Sequence, residues 1–187
     1  MKQFEVTMAG FGGQGIMVAG QLLSYAGLKE GKNVVWIPSY GPEMRGGTAY
    51  CTIVISNERI GSPIINNPTA ACVFNRPSFD KFSPKVRPGG LLVVNSSLIN
   101  VQTDRKDITE ILVPATQLSL NAGSNRSANI AVLAVFVGAT GLVKYETMQK
   151  VLEEKLGKRK ELLDINFKIL EEGYKLGAAH QMQVSLV

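Results

Sequence analysis

One histidine and two cysteines stand among 187 residues, and each scarcity removes a class of chemistry. The cysteines, Cys51 and Cys72, lie in apolar surroundings with only His180 as a further soft ligand. A structural zinc site or an iron–sulfur cluster needs about four protein ligands, so neither can be assembled from this inventory. Buried, reduced thiols are expected instead, which fits a reducing compartment. His180 falls near the end of the chain, where a catalytic base is not expected. Without a histidine partner, Ser24, Ser39 and the other hydroxyls have no nucleophilic triad. No catalytic residue and no metal ligand is therefore assigned.

Long apolar runs are missing too. Residues 130–143 form the longest uncharged stretch near the C-terminal half, too short for a bilayer span. Residues 1–5 run straight into a strand pattern and carry Lys2 and Glu5, so no secretory leader is expected and the location is read as cytoplasmic. Positive charge is in mild excess, twenty Lys and Arg against fifteen Asp and Glu, a net +5. It is dispersed. The densest run, Lys155, Lys158, Arg159 and Lys160, is balanced by Glu153, Glu154 and Glu161, so it reads as a solvated helix junction and not as a nucleic-acid surface.

What remains is a globular composition, 45% hydrophobic and 19% charged, with 19 glycines. Its length suits one domain, residues 1–187, with no linker or repeat to divide it. Phe4, Val6 and Met8 alternate with smaller or polar residues and predict a first strand. Ile16, Ala19, Leu22, Leu23 and Ala26 recur at three and four residues and predict a helix that stops at Gly31. Residues 33–37 predict a strand closed by Pro38, completing a Rossmann-like βαβ unit of the kind that builds a parallel sheet.

Further strands are predicted at 48–55, 70–74, 91–95 and 108–113, with short helices at 78–82 and 117–122. Helices then follow at 127–140, 147–156 and 161–176, the first uncharged and the last amphipathic. The expected fold is α/β, a single domain with a mostly parallel open sheet and flanking helices.

Two dense motifs carry the candidate chemistry. Gly10, Gly12 and Gly15 in GFGGQG follow a strand and open a helix, where backbone amides face an anion unobstructed. A dinucleotide site also needs an acidic residue near the end of the second strand, and that position reads Ile37-Pro38-Ser39. Three uses of the loop stay open: a dinucleotide site, close packing of strand on helix, and anion or cofactor contact within a complex. The second motif, SYGPEMRGG at 39–47, lies near the end of the second strand, where open α/β sheets present ligands, and is expected to face the glycine loop. Glu43 and Arg45 offer opposite charges two residues apart, serving either a local ion pair or a ligand or partner. Asn125, Arg126 and Asn129 stand at a helix start, with capping favoured over ligand contact.

GFGGQGI, SYGPEMRGG, and the run NRSAN at 125–129 followed by GATGL together resemble the gamma subunit of 2-oxoacid:ferredoxin oxidoreductases across nearly the whole chain. The loop ending in Arg45-Gly46-Gly47 is closer to the 2-oxoglutarate or branched-chain type than to the pyruvate type. The resemblance implies a complex that turns a 2-oxoacid and coenzyme A into acyl-coenzyme A and carbon dioxide while reducing ferredoxin, with 2-oxoglutarate the expected substrate. It places thiamine diphosphate, magnesium and the iron–sulfur clusters in alpha, beta and ferredoxin-like delta partners, with no cofactor bound by this chain alone and coenzyme A as co-substrate. The two motifs are expected to form one surface near the shared active site, with Gly12, Gly13, Gln14, Gly15, Tyr40, Gly41, Glu43, Arg45 and Gly46 as the candidates for cofactor contact and Arg45 for an anion. An isolated chain is expected to be inactive, and apolar surface meant for partners would let it form a homodimer. The competing readings are an autonomous nicotinamide-dependent reductase and a purely structural assembly subunit.

Overall fold

Strand β1, Phe4–Phe11, buries both of its faces, and this sets the architecture. In the computed structural model, which describes residues 3–40, 48–62, 64–157 and 160–180, β1 leads through a glycine turn into helix α1, Ile16–Lys29. Then come β2 (Asn33–Tyr40), β3 (Thr48–Ser56), β4 (Ala70–Val73), α2 (Arg76–Phe82), a 3₁₀ turn (Ser83–Lys85), β5 (Leu91–Asn95) and β6 (Thr109–Val113). Helices α3 (Ala115–Asn121), α4 (Ala128–Thr140), α5 (Tyr145–Leu156) and α6 (Lys160–Ala178) complete the described chain. The product is an α/β domain around one six-stranded sheet of order β2-β3-β1-β4-β5-β6.

Strands β1, β4, β5 and β6 run parallel in succession, as the short apolar runs predict. The first βαβ unit departs from expectation. Strand β2 does not lie beside β1, because β3 is inserted between them and is antiparallel to both. The connection explains this: residues 41–47 are too few for a parallel crossover, which takes about a dozen residues or more, so β3 must return antiparallel. Its burial on both faces makes it the inner strand, with Cys51, Ile53, Val54 and Ile55 all fully buried. Strand β2 is left at the edge, and there it runs through Pro38 to Tyr40 instead of ending at the proline. An edge strand tolerates the missing N–H.

The larger core lies on one face. Met8, Ile53, Phe74 and Val93 meet α1 and the C-terminal helices there. Helix α4 is enclosed almost completely, every residue from Asn129 to Thr140 being buried, which accounts for its uniform apolar sequence. It packs closely on α6: a Cβ added at Gly177 would stand 2.1 Å from the Val135 carbonyl oxygen. The other face is thinner. Helix α2 covers the β1–β4–β5 part with Phe79 and Phe82 over Ala9, Val73 and Val94. Over β2 and β3 that face carries no helix among the described residues, and Ile37 is exposed on it.

Candidate functional site

Four parallel strands place their carboxyl ends along one edge, so the residues following Phe11, Val73, Asn95 and Val113 gather there. Antiparallel pairing of Phe11 with Thr48 and of Tyr40 with Ala49 brings both ends of the second motif to the same edge. Tyr40 is the last residue of β2, while Gly41, Glu43, Arg45 and Gly46 lie outside the described residues. The register thus returns the chain beside the glycine loop.

Within the loop, Gln14 turns its carboxamide inward. Its Oε1 accepts the Phe11 N–H at 2.7 Å and an Asn75 Nδ2 hydrogen at 3.3 Å, while its Nε2 donates to the Phe74 carbonyl at 3.4 Å. Asn75 in turn caps α2, its Oδ1 accepting the Ser78 N–H at 2.9 Å. One side chain therefore ties the ends of β1 and β4 to the start of α2, leaving the backbone of residues 12 and 13 as the loop's outer surface. Gly15 opens α1 with φ of 75°, and its carbonyl accepts an Nδ2 hydrogen of Asn129 at 3.1 Å. Asn129, only 5% exposed, does not cap its own helix as the sequence suggests but braces the glycine loop from α4.

Two cavities flank this loop. One, of about 290 Å³, is bounded by Gly12, Gly15, Met17, Val18 and Ala49. The other, of about 240 Å³, lies between Gly13, Gln14, Asn95, Thr116, Asn125 and Arg126. Electrostatics at both favour an anion. Helix α1 begins with no side-chain cap and no acidic residue in its first turn, so its partial positive charge faces outward uncompensated. Arg126 adds a full charge: it is exposed and has no ion pair among the described residues. Its backbone is fixed by a serine cluster, in which the Ser119 hydroxyl donates to the Ser124 carbonyl at 2.7 Å and accepts the Ser127 N–H at 3.1 Å. Asn95 and Thr116 were not singled out from the sequence; a polar residue closing an otherwise apolar strand was the available signal for Asn95.

The fold argues against a dinucleotide. With β3 intervening, the end of β2 stands two strand spacings from the glycine loop, roughly 10 Å, instead of one. The position where an acidic residue would hold a ribose is Pro38-Ser39 on an edge strand. Among the described residues no three His, Cys, Asp or Glu side chains gather. Cys51 and Cys72 flank Met8 across the sheet centre, both free and buried. Burial pushes the Cys51 thiol up to about 12 against a small opposing pull from the Trp36 indole, and raises that of Cys72 as well. His180 sits at the exposed end of α6, its Nδ1 3.0 Å from the Leu176 carbonyl oxygen. No described helix is long and apolar enough to cross a membrane.

A family model for pyruvate ferredoxin/flavodoxin oxidoreductase matches residues 5–176, which include the glycine loop, the second motif and Arg126. The chain belongs to that family. Among its relatives, ketoisovalerate oxidoreductase subunit VorA of Methanothermobacter marburgensis is 38% identical over 92% of this chain. The chain spans only 36% of that protein's length. 2-Oxoglutarate synthase subunit KorC of Methanocaldococcus jannaschii is 32% identical, with 92% of each chain covered. The family fold is seen in the gamma subunit of a keto/oxoacid ferredoxin oxidoreductase from Geobacter sulfurreducens, with a TM-score of 0.85 and 25% identity over 96% of this chain and 99% of that one. It recurs in a 2-oxoglutarate:ferredoxin oxidoreductase from Magnetococcus marinus whose structure has 2-oxoglutarate, coenzyme A and succinyl-CoA bound, with a TM-score of 0.88 and 24% identity over 97% of this chain and 32% of that one.

Proposed function

We propose that this chain is the gamma subunit of a multi-subunit 2-oxoacid:ferredoxin oxidoreductase, and that its glycine-loop edge holds the phosphate-bearing part of coenzyme A. The reaction is 2-oxoacid, coenzyme A and oxidised ferredoxin to acyl-coenzyme A, carbon dioxide and reduced ferredoxin. The observation that carries the reading is the coincidence of the family match over residues 5–176 with an uncapped helix start, a backbone-faced loop and an unpaired arginine at one sheet edge.

In this reading the backbone of residues 12–15 and the α1 N-terminus receive phosphate oxygens, and Arg126 supplies the countercharge from one flank. Arg45 is assigned a second countercharge to the same ligand, with Tyr40, Gly41, Glu43 and Gly46 as the further contacts of the second motif. In the same reading thiamine diphosphate, magnesium and the iron–sulfur clusters are assigned to alpha, beta and delta partners, and this chain's two thiols are both buried. The residues of this chain bind and orient. The bond-breaking centre lies with the partners.

Substrate choice is read as 2-oxoglutarate or a branched-chain 2-oxoacid over pyruvate. Relatives named for ketoisovalerate and 2-oxoglutarate are 38% and 32% identical to this chain, and the pyruvate synthase subunit PorC of Thermotoga maritima is 30% identical.

The test is kinetic and uses the complex purified with its partners. Arg126→Ala and Arg45→Ala should each raise KM for coenzyme A by about tenfold, the scale of one charge-assisted contact, with KM for the 2-oxoacid unchanged. Unaltered kinetics in an intact complex would leave a purely structural subunit. Micromolar binding of NAD or NADP by the chain alone would restore the reductase reading. A higher kcat/KM for pyruvate than for 2-oxoglutarate and ketoisovalerate would overturn the substrate assignment.

A further inference from the structure

A third cavity, the roomiest of the three at about 350 Å³, opens on the opposite face of the sheet from α1 and is not used by the proposed function. Its floor is β1 and β3, where Thr7 and Thr52 are direct cross-strand partners. Thr7 points away from Val6 and Met8, which pack beneath α1, and so faces this cavity. It is only 4% exposed, and with Thr52 it sets a pair of threonines on the cavity floor. A threonine hydroxyl both donates and accepts, so this pair is equipped to bond a polar occupant.

The walls are cationic. Lys81 on α2 stands with its Nζ 4.6 Å from the centre of the Tyr50 ring, and the Nζ of Lys85 lies 5.8 Å from that of Phe82. Neither lysine has a carboxylate partner among the described residues. Nearby acids are committed elsewhere: Asp80 is held by Arg76 at 2.7 Å, and Glu5 by Arg87. Asn66 and Asn67 on the segment before β4 add carboxamides to the rim.

We propose that this cavity is a binding site for a small phosphate monoester. Two ammonium groups, each a point charge with rotatable donors, suit a tetrahedral dianion. Planar carboxylates are better matched by arginine forks, and no arginine lines the cavity. The volume exceeds what inorganic phosphate fills and falls at the small end of ligand pockets. The hydroxyls of Thr7 and Thr52 and the amides of Asn66 and Asn67 suit a short hydroxylated body attached to the phosphate. The site is separate from the glycine loop, with the sheet between it and α1.

Calorimetric titration of the full chain with glycerol phosphate, inorganic phosphate and succinate tests the proposal, with backbone amide shifts locating the contact. Glycerol phosphate should bind saturably, more tightly than inorganic phosphate and far more tightly than succinate, and should shift the amides of Thr7, Thr52 and Lys81. The double variant Lys81→Gln/Lys85→Gln should weaken it by about tenfold or more. Thr7→Val, which keeps the side-chain shape and the strand preference, should weaken it by roughly threefold. Arg126→Ala should leave it unchanged. Absence of saturable binding by a folded chain would overturn the site, as would equal or tighter binding of succinate. Loss of affinity in Arg126→Ala without loss in the lysine variant would also overturn it, by moving the contact to the glycine loop.

Discussion

Gly13 and Gly15 share a left-handed backbone, with φ of 96° and 75°, but differ in what surrounds them. A Cβ at Gly13 would meet nothing within 4 Å, whereas one at Gly15 would stand 2.6 Å from Asn129 Nδ2. Gly13→Ala should therefore cost only the conformational penalty, about 1–2 kcal/mol. Gly15→Ala bears the same penalty and also displaces Asn129, whose hydrogen bond to the Gly15 carbonyl is then lost, for a total of roughly 2–4 kcal/mol. Urea unfolding of the two variants measures the gap, and equal losses would mean that the Asn129 brace contributes nothing. The glycines themselves were legible, because strand, turn and helix are contiguous in sequence. The brace was not, since Gly15 and Asn129 are joined only by the fold and a polar residue at a helix start looks the same whether it caps or reaches across.

At the scale of elements, a half-buried cluster fastens the end of α1 to the turn between α4 and α5. Glu30 is 13% exposed at its side chain; one carboxylate oxygen accepts the Lys144 N–H at 2.6 Å and the other pairs with Lys32 at 2.9 Å. Lys32 also donates to the Leu142 carbonyl. Burial pushes the Glu30 carboxyl up, but hydrogen bonds from Lys32, Lys144 and Thr147, with the Lys32 charge, together outweigh it and hold the group below its ordinary value. A carboxyl with a depressed folded pKa stabilises the fold above its unfolded value, near 4.5, and that contribution is lost as pH falls through the folded value. Glu30→Gln should thus be less stable than the parent by about 1–2 kcal/mol at pH 7, with the two curves converging as pH falls through the lowered folded value. Parallel stability curves from pH 7 to pH 3 would show that the charge on Glu30 is not used. Element positions were largely legible from periodicity, and the pairing of β3 was not. Seven residues between β2 and β3 do imply an antiparallel return, but that β3 then also takes the place beside β1 follows from its burial on both faces, a tertiary fact.

Across the whole molecule, the two thiols report on whether the sheet opens as one unit. Cys51 on β3 and Cys72 on β4 sit on either side of Met8, both fully buried at the middle of the sheet. Burial has raised both thiols, Cys51 to about 12, so almost no thiolate is present near neutral pH. Alkylation therefore requires opening. To expose Cys72, strand β4 must leave both β1 and β5, which dismantles the parallel half of the core; the route to Cys51, whose Sγ lies under Gly20 of α1, is shorter, needing only the edge strand β2 and α1 to part from β3. If the domain is a single cooperative unit, both cysteines should label at one rate. That rate should rise with urea along the global unfolding curve and give protection factors of at least about 10³ in water. Faster labelling of Cys51, insensitive to urea, would instead reveal that the β2–β3 hairpin opens alone. That outcome would make the antiparallel hairpin, which carries both ends of the second motif, a separately mobile arm beside a rigid parallel core.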